Sequence, residues 1–175
     1  MRDSPTLHDW LDAALRHGAG RTDAILIAAA YAADDPAPLA DLATALAPSR
    51  ERRAEAAAQG AAFAVAIRAV EGWDLPDMPL PVAVGRAARP GRLPVLPVAQ
   101  VAALAWVTHL AQAAQRLMPL GQTAAQRVVA ALAPTCAQVA AEGVVLTPDD
   151  IGGCAFALDI ASIRHEGQEP RLFHS

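Results

Sequence analysis

The chain has 175 residues, which suits one domain that buries about two-thirds of the surface its unfolded chain would expose. Apolar residues make up 54% of it and aromatic residues only 4%, a balance typical of closely packed, alanine-rich helices. The net charge of −4 is spread along the chain, which has no lysine and no basic run. A nucleic-acid-binding protein is therefore disfavoured.

Four helices are predicted in the first 72 residues, because residues that start and end helices alternate along them. The starts and ends fall at Ser4 and Gly18, Thr22 and Asp34, Leu39 and Pro48, and Ser49 and Gly72. Apolar residues recur at helical spacing inside these segments. The charged residues 50–55 in the fourth helix are expected to form a solvated face.

The middle of the chain is predicted to hold an apolar loop, a short helix and a long central helix. Residues 73–81 form the loop, which is expected to be ordered because its apolar side chains can be buried. The short helix covers residues 81–88 and the central helix residues 98–117. The predicted core side of the central helix consists of Val101, Leu104, Ala105, Leu110 and Leu117. This stretch has the length of a membrane span, but its prolines and polar residues favour a buried helix of a soluble protein.

A polar turn, called the hinge below, follows the central helix. It consists of Pro119, Leu120, Gly121, Gln122 and Thr123. Pro119 cannot continue the arriving helix because it lacks an amide hydrogen. Thr123 and Gln126 have the spacing of a capping box, which predicts that the next helix begins at Ala124. Gly121 is expected to adopt a positive φ.

Two further helices complete the predicted fold. One covers residues 124–141, and the other covers residues 154–166 after a cap at Thr147 and a Gly-Gly break. No alternating pattern is long enough for a convincing strand. The predicted fold class is therefore all-α: a single-domain bundle of about seven helices over residues 1–175, joined by short turns that contain proline and glycine.

The sequence contains no residue pattern typical of an enzyme. His165 and Glu166 are the best candidates for acid–base catalysis, but neighbours on a helix point about 100° apart. The five histidines are scattered, and Cys136 and Cys154 do not have metal-ligand spacing. The sequence therefore predicts no catalytic residue, no cofactor and no metal site, and two inert thiols in a reducing cytoplasm.

Residues 159–175 mix arginines and histidines with apolar side chains at the end of the chain. Composition alone is consistent with a simple polar tail. Buried arginines and aromatic residues are also the side chains that contribute most to protein interfaces. The hypothesis is a partner-binding tail that is weakly ordered until its partner binds.

Four stretches of the sequence match the pattern of a known protein family. The two most specific are MPLGQTAAQRVVAAL at residues 118–132 and DIASIRHEGQEPRLFHS at residues 159–175. Weaker matches are PVAVGRAAR at residues 81–89 and HGAGRTDAILIA at residues 17–28. In these stretches the chain resembles the urease accessory protein family UreF. The proline- and glycine-containing segment with which family members usually open has no counterpart here. Apolar surface that this segment would cover is expected to promote self-association.

The resemblance implies a non-catalytic, cytoplasmic scaffold, commonly a homodimer, that binds UreD (called UreH in some organisms) and the GTPase UreG. That assembly inserts nickel into apo-urease, and neither nucleic acid nor a membrane is an implied partner. The implied partner-binding residues lie in the hinge and the C-terminal block: Pro119, Leu120, Gly121, Gln122, Thr123, Asp159, Arg164, His165, Glu166, Gln168, Arg171, Leu172 and Phe173. Gly167 and Pro170 depart from the family pattern.

Two other functions are compatible with the residues. One is a small helical enzyme with a pocket around His165 and Glu166, or around His109. The other is a helical adaptor unrelated to urease. A pocket with perturbed titratable groups would favour the enzyme, and a flat apolar face would favour the scaffold.

Overall fold

A computed structural model describes residues 3–153 and 155–167 of the chain. Within these residues it contains eight α-helices, one 3₁₀ turn and no strand. The helices are α1 (Ser4–His17), α2 (Ala19–Ala32), α3 (Ala37–Ala45), α4 (Arg50–Glu71), α5 (Leu80–Ala88), α6 (Val95–Leu117), α7 (Gln122–Gly143) and α8 (Phe156–His165), with the 3₁₀ turn at Pro148–Asp150. The predicted all-α class is confirmed, and the extent of the domain stays a prediction.

Several helix ends lie where local chemistry predicted them. The hydroxyl of Ser49 accepts a hydrogen bond from the Arg52 amide (3.2 Å) at the start of α4. Gly72 ends the same helix with a φ of 71°. α6 ends at Leu117, as predicted from Pro119. Side-chain caps and residues that cannot continue a helix therefore define these boundaries.

Two predicted N-caps are wrong, one by a single residue and the other by four. Asp3, not Ser4, caps α1, because its carboxylate accepts a hydrogen bond from the Thr6 amide (3.0 Å). Hydrogen bonds from the Thr6 side chain and amide hold the pKa of the Asp3 carboxyl below its usual range. α2 begins at Ala19, so Thr22 lies inside the helix and does not cap it.

The described residues form two compact units, and the first contains residues 3–25 and 96–153. Its core joins side chains of α1, α6 and α7. The fully buried large residues come mainly from α1 and α7: Leu7, Leu11, Leu15, Leu132 and Val139. α6 contributes Val107 and several alanines, so the leucines of its neighbours fill much of this core.

The side of α6 that is buried differs from the predicted one. Val101 and Leu117 are 67% and 72% exposed, and Leu104 and Ala105 are exposed as well, whereas Leu110 packs against the core. The buried face consists of smaller residues, Ala99, Ala103, Val107, Ala111 and Ala114. A helix that is apolar on every side has no periodicity to show which side is buried, and the preference for large side chains was misleading.

α6 is also less buried than the sequence predicted. Among the described residues it is the one helix long and apolar enough to cross a membrane, a finding that depends on length and composition only. Its most apolar window has a mean hydropathy of 1.3 and is 22% buried in the protein. Burial of this helix is therefore confined to the alanine-rich face.

A polar network connects α1 with α7 beside this core. The hydroxyl of Thr135 donates to Asp12 Oδ1 (3.0 Å), and Arg16 Nε donates to Asp12 Oδ2 (2.9 Å). Arg16 Nη1 reaches Gln138 Oε1 (3.2 Å) on the next turn of α7. Because Thr135 is buried, these bonds satisfy a hydroxyl that would otherwise destabilise the helix pair.

Among the described residues, the second unit contains residues 26–95 and 155–167. α4 packs along α5, and α3 packs against α5 as well. The loop before α5 is ordered as predicted, because Leu75 and Met78 are buried in the small cores of this unit. Arg68 of α4 donates to the Leu75 carbonyl and to Asp77, which also holds the loop in place.

Two glycines of the second unit allow backbones to approach closely. A Cβ atom on Gly85 of α5 would lie 2.2 Å from the carbonyl oxygen of Ile27 in α2. A Cβ atom on Gly60 of α4 would lie 1.8 Å from the carbonyl oxygen of Met78. Real Cβ atoms do not come this close to backbone oxygens, so both contacts require glycine.

Cys136 is expected to react slowly with thiol reagents in the folded protein. It is buried in α7, and burial raises the pKa of its thiol, so little thiolate is present near neutral pH. In a Cys154→Ser variant, labelling of Cys136 by a maleimide at about pH 7 should be at least about tenfold slower than in denaturant. Equal rates with and without denaturant would contradict the buried position.

Candidate partner-binding surfaces

The hinge is a short exposed connection in the first unit. Pro119, Gly121, Gln122 and Thr123 are exposed, whereas Leu120 is half-buried and packs against the core of α1, α6 and α7. The Leu120 amide donates to the Met118 carbonyl (2.7 Å). The apolar member therefore anchors the turn, and the four others face solvent.

The predicted conformation of the hinge is wrong at two residues. α7 begins at Gln122, two residues earlier than predicted, so Thr123 lies inside the first turn. Gly121 occupies the N-cap position with φ −70° and ψ 154°, and no side chain caps the helix. Because a Cβ on Gly121 would meet no atom within 4 Å, the position needs neither a positive φ nor glycine.

The C-terminal block forms most of α8, which is bonded to the start of α4 in the second unit. Ser162 Oγ lies 2.7 Å from Ser49 Oγ, the capping hydroxyl of α4. Glu166 Oε1 accepts from the Arg50 amide (2.5 Å), and Glu166 Oε2 accepts from Arg50 Nε (3.0 Å). His165 Nδ1 lies 2.6 Å from Glu51 Oε2. We call these three contacts the α4–α8 clamp.

The Glu166 contact has a clear electrostatic reason. The first amides of a helix have no partner inside it, and they carry the positive end of the helix dipole. The Glu166 carboxylate supplies an acceptor and a negative charge at that point of α4, and its side chain is only 20% exposed. The clamp therefore combines an ion pair with satisfaction of a free backbone donor.

The clamp changes one sequence-based interpretation. Residues 50–55 were predicted to be a solvated face, but Arg50 and Glu51 bind the C-terminal block. The reason is that charges far apart in sequence meet in the fold, which composition does not show. The block itself is helical up to His165, in agreement with the helix predicted over residues 154–166, and its weak order before a partner binds stays a prediction.

The other side of α8 exposes an apolar stripe. Phe156, Ile160 and Ile163 are 72%, 47% and 54% exposed, and their spacing of four and three residues places them on one face of the helix. Arg164 is exposed beside them, and no other described residue bonds to its side chain. Asp159 is half-buried. We call Phe156, Ile160, Ile163 and Arg164 the α8 outer face.

The structure divides the predicted partner-binding residues of this block into two groups. Arg164 lies on the α8 outer face, whereas His165 and Glu166 bind α4 and position the helix. Gln168, Arg171, Leu172 and Phe173 lie outside the described residues. Phe156 was not among the predicted partner-binding residues, although its spacing to Ile160 and Ile163 indicates that the three lie on one face of a helix.

The comparisons with known proteins point to one family. The family model UreF matches residues 1–133. A urease accessory protein UreF from Cereibacter sphaeroides (strain KD131) is 49% identical over 173 residues, which are 99% of this chain and 82% of the relative. Proteins of the same name from Roseobacter denitrificans and Rhodopseudomonas palustris (strain BisA53) are 44% and 43% identical over 177 and 190 residues, covering 100% of this chain and 80% of each relative.

The fold and the comparisons define the class as an all-helical urease accessory protein. The chain belongs to the UreF family.

Proposed function

We propose that the chain is a non-catalytic scaffold that recruits UreD (UreH) and the GTPase UreG to apo-urease for nickel insertion. Membership of the UreF family supports the connection with urease and argues against an adaptor unrelated to it. The observation that carries the scaffold role is the α8 outer face, an exposed apolar stripe beside an arginine on a helix held from behind. In this proposal the protein acts in the cytoplasm, and other subunits bind the GTP and the nickel.

The α8 outer face has the physical properties of a docking surface. Burying one large apolar side chain contributes about 1.5–3 kcal/mol, and three are available here. The helix is already formed and clamped to α4, so a partner does not have to order it. Arg164 can pair with an acidic group at the rim of such an interface.

The clamp residues are poor candidates for an enzyme site. His165 contacts Glu51, and Glu166 contacts Arg50, so the two side chains do not act on one another. Both contacts are explained by the attachment of α8 to α4. The geometry of these two residues therefore favours the scaffold over a small helical enzyme that uses His165 and Glu166.

The hinge and the rest of the C-terminal block complete the proposed contact residues. Pro119, Gly121, Gln122 and Thr123 are exposed and offer backbone and polar groups to a partner. Leu120 is a structural anchor for them. Gln168, Arg171, Leu172 and Phe173 are proposed partner contacts on the resemblance alone.

Disrupting the α8 outer face is expected to weaken binding of UreD without unfolding the protein. Ile163→Ser removes an exposed apolar anchor, and Arg164→Ala removes the guanidinium beside it. Each variant should bind purified UreD at least about tenfold more weakly in calorimetry, a loss of about 1.4 kcal/mol. The helical circular dichroism and melting of the free protein should stay close to those of the wild type, because both side chains are exposed.

Val70→Ser is the matched control for Ile163→Ser. Val70 is a β-branched residue of α4 that is 78% exposed. It lies twenty residues along that helix from Arg50, a distance of about 30 Å, and thus far from the clamp. Val70→Ser should bind UreD like the wild type. Wild-type affinity in Ile163→Ser and Arg164→Ala would show that this face is not the docking surface.

A further inference from the structure

A cavity of about 510 Å³ lies in the second unit, and none of the proposed docking residues of α8 lines it. Its volume is within the usual range for small-ligand pockets, about 300–1,000 Å³. Two arginines of the PVAVGRAAR block line it, Arg86 within α5 and Arg89 directly after that helix. Trp73 and Leu75 of the loop before α5 line it as well. The proposed scaffold function does not involve this cavity.

Two guanidinium groups converge at this cavity. Arg86 Nη1 and Arg89 Nη1 both donate to the carbonyl oxygen of Ala33, at 3.1 and 2.6 Å. Ala33 directly follows the last residue of α2, where the helix dipole is negative. That dipole helps to hold the two positive charges side by side, and each guanidinium keeps further N–H donors for a ligand.

The two arginines differ in whether a carboxylate neutralises their charge. Arg89 Nη2 forms an ion pair with Asp34 Oδ1 (2.9 Å). Arg86 is half-buried, and none of the described carboxylates forms an ion pair with it. A partly buried guanidinium without a carboxylate gains most from an incoming anion, because the surrounding protein screens the interaction less than water does.

Two other features narrow the chemistry of the ligand. Trp73 and Leu75 provide an apolar wall next to the arginines. Asp74 places a carboxylate at the same cavity, and the described residues offer its side chain no hydrogen bond or ion pair. An N–H group of the ligand that lies close to its anionic group can donate a hydrogen bond to the Asp74 carboxylate. The complementary ligand therefore has a carboxylate, an apolar body and a nearby N–H donor.

We propose that this cavity binds a carboxylate-bearing residue of a partner peptide, with the carboxylate on Arg86, the apolar neighbours on Trp73 and Leu75, and a backbone N–H on Asp74. An acidic side chain and a peptide C-terminus share this chemistry. Planar, bidentate recognition of a carboxylate is the use for which a guanidinium is best suited.

The test compares three tripeptides by NMR titration of the ¹⁵N-labelled full chain, with the indole N–H of Trp73 as the reporter. The first is N-acetyl-leucyl-glutamyl-leucinamide, which carries a side-chain carboxylate. The second is the matching glutaminyl peptide, and the third is that glutaminyl peptide with a free C-terminal carboxylate. A saturable shift with the first or third peptide, and an affinity at least about tenfold lower for the second, is expected. The better of the two carboxylate peptides identifies the source of the anion.

Arg86→Gln should lower the affinity for the preferred peptide at least about tenfold, whereas Arg53→Gln should leave it unchanged because Arg53 is exposed on α4 and does not line the cavity. Equal shifts with all three peptides, or an unchanged affinity in a folded Arg86→Gln protein, would overturn the proposal. If Arg86→Gln does not fold, the comparison of the three peptides on the wild-type chain still tests whether binding depends on a carboxylate. Since the α8 variants test UreD binding separately, either proposal can fail alone.

Discussion

Leu132→Ala is expected to lower the free energy of unfolding by about 2–5 kcal/mol. Leu132 is 0% exposed on α7 and lies in the core that α7 shares with α1 and α6. The substitution removes buried methyl groups and leaves a cavity that the surrounding helices can close only partly. Urea unfolding followed by circular dichroism measures the change, provided that the slope of the transition stays the same.

Leu117→Ala is the matched control, since it makes the same chemical change on an exposed position. The sequence pattern placed Leu117 in the core, but its side chain is 72% exposed at the end of α6. The expected change is within about 0.5 kcal/mol. A loss at Leu117 as large as that at Leu132 would mean that the large residues of α6, and not its alanines, face the core.

The helices themselves could be predicted because their boundaries depend on local chemistry. Ser49, Gly72 and Pro119 each act within one turn of the chain, through a capping hydroxyl, a left-handed conformation and a missing amide hydrogen. Such effects need no knowledge of tertiary contacts. The all-α class and most of the helix positions follow from them.

The orientation of α6 could not be predicted from the same information. Its apolar residues surround the helix, so more than one face could be buried. The fold buries Ala103, Ala111 and their neighbours because leucines of α1 and α7 fill the adjacent space. The choice is made by the partners of the helix, and those partners are distant in sequence.

The α4–α8 clamp was missed for a related reason. Arg50 and Glu51 look like solvent-exposed charges when α4 is considered alone. Their partners, Glu166 and His165, are more than a hundred residues later in the chain. The family resemblance drew attention to this C-terminal block, but only the structure separates its clamp residues from Arg164 on the outer face.

The PVAVGRAAR block has a similar division of roles. Gly85 allows α5 to contact the backbone of α2, while Arg86 and Arg89 bind the carbonyl of Ala33 just beyond the end of that helix. The glycine and the two arginines therefore all contribute to the contact between α5 and the end of α2. Correct packing at Gly85 is what brings the two guanidiniums to the cavity.

Gly85→Ala is expected to destabilise the protein by about 1–3 kcal/mol, the usual cost of forcing additional atoms into a packed site. The new Cβ would lie 2.2 Å from the Ile27 carbonyl oxygen and 3.0 Å from the Ala30 side chain. Alanine is the better helix former by about 0.5–1 kcal/mol, which opposes the effect. The clash should dominate because the obstructing oxygen belongs to helical backbone and cannot rotate away.

Gly121→Ala provides the control for this substitution. Its Cβ would meet no atom within 4 Å, and its φ of −70° suits any residue, so a change within about 0.5 kcal/mol is expected. Thermal unfolding of the two variants in parallel separates steric overlap from the general effect of replacing glycine. A Gly85→Ala protein that melted at or above the wild-type temperature, with Gly121→Ala unchanged, would contradict this contact. It would mean that α2 and α5 are further apart at Ile27 and Gly85 than the structure shows.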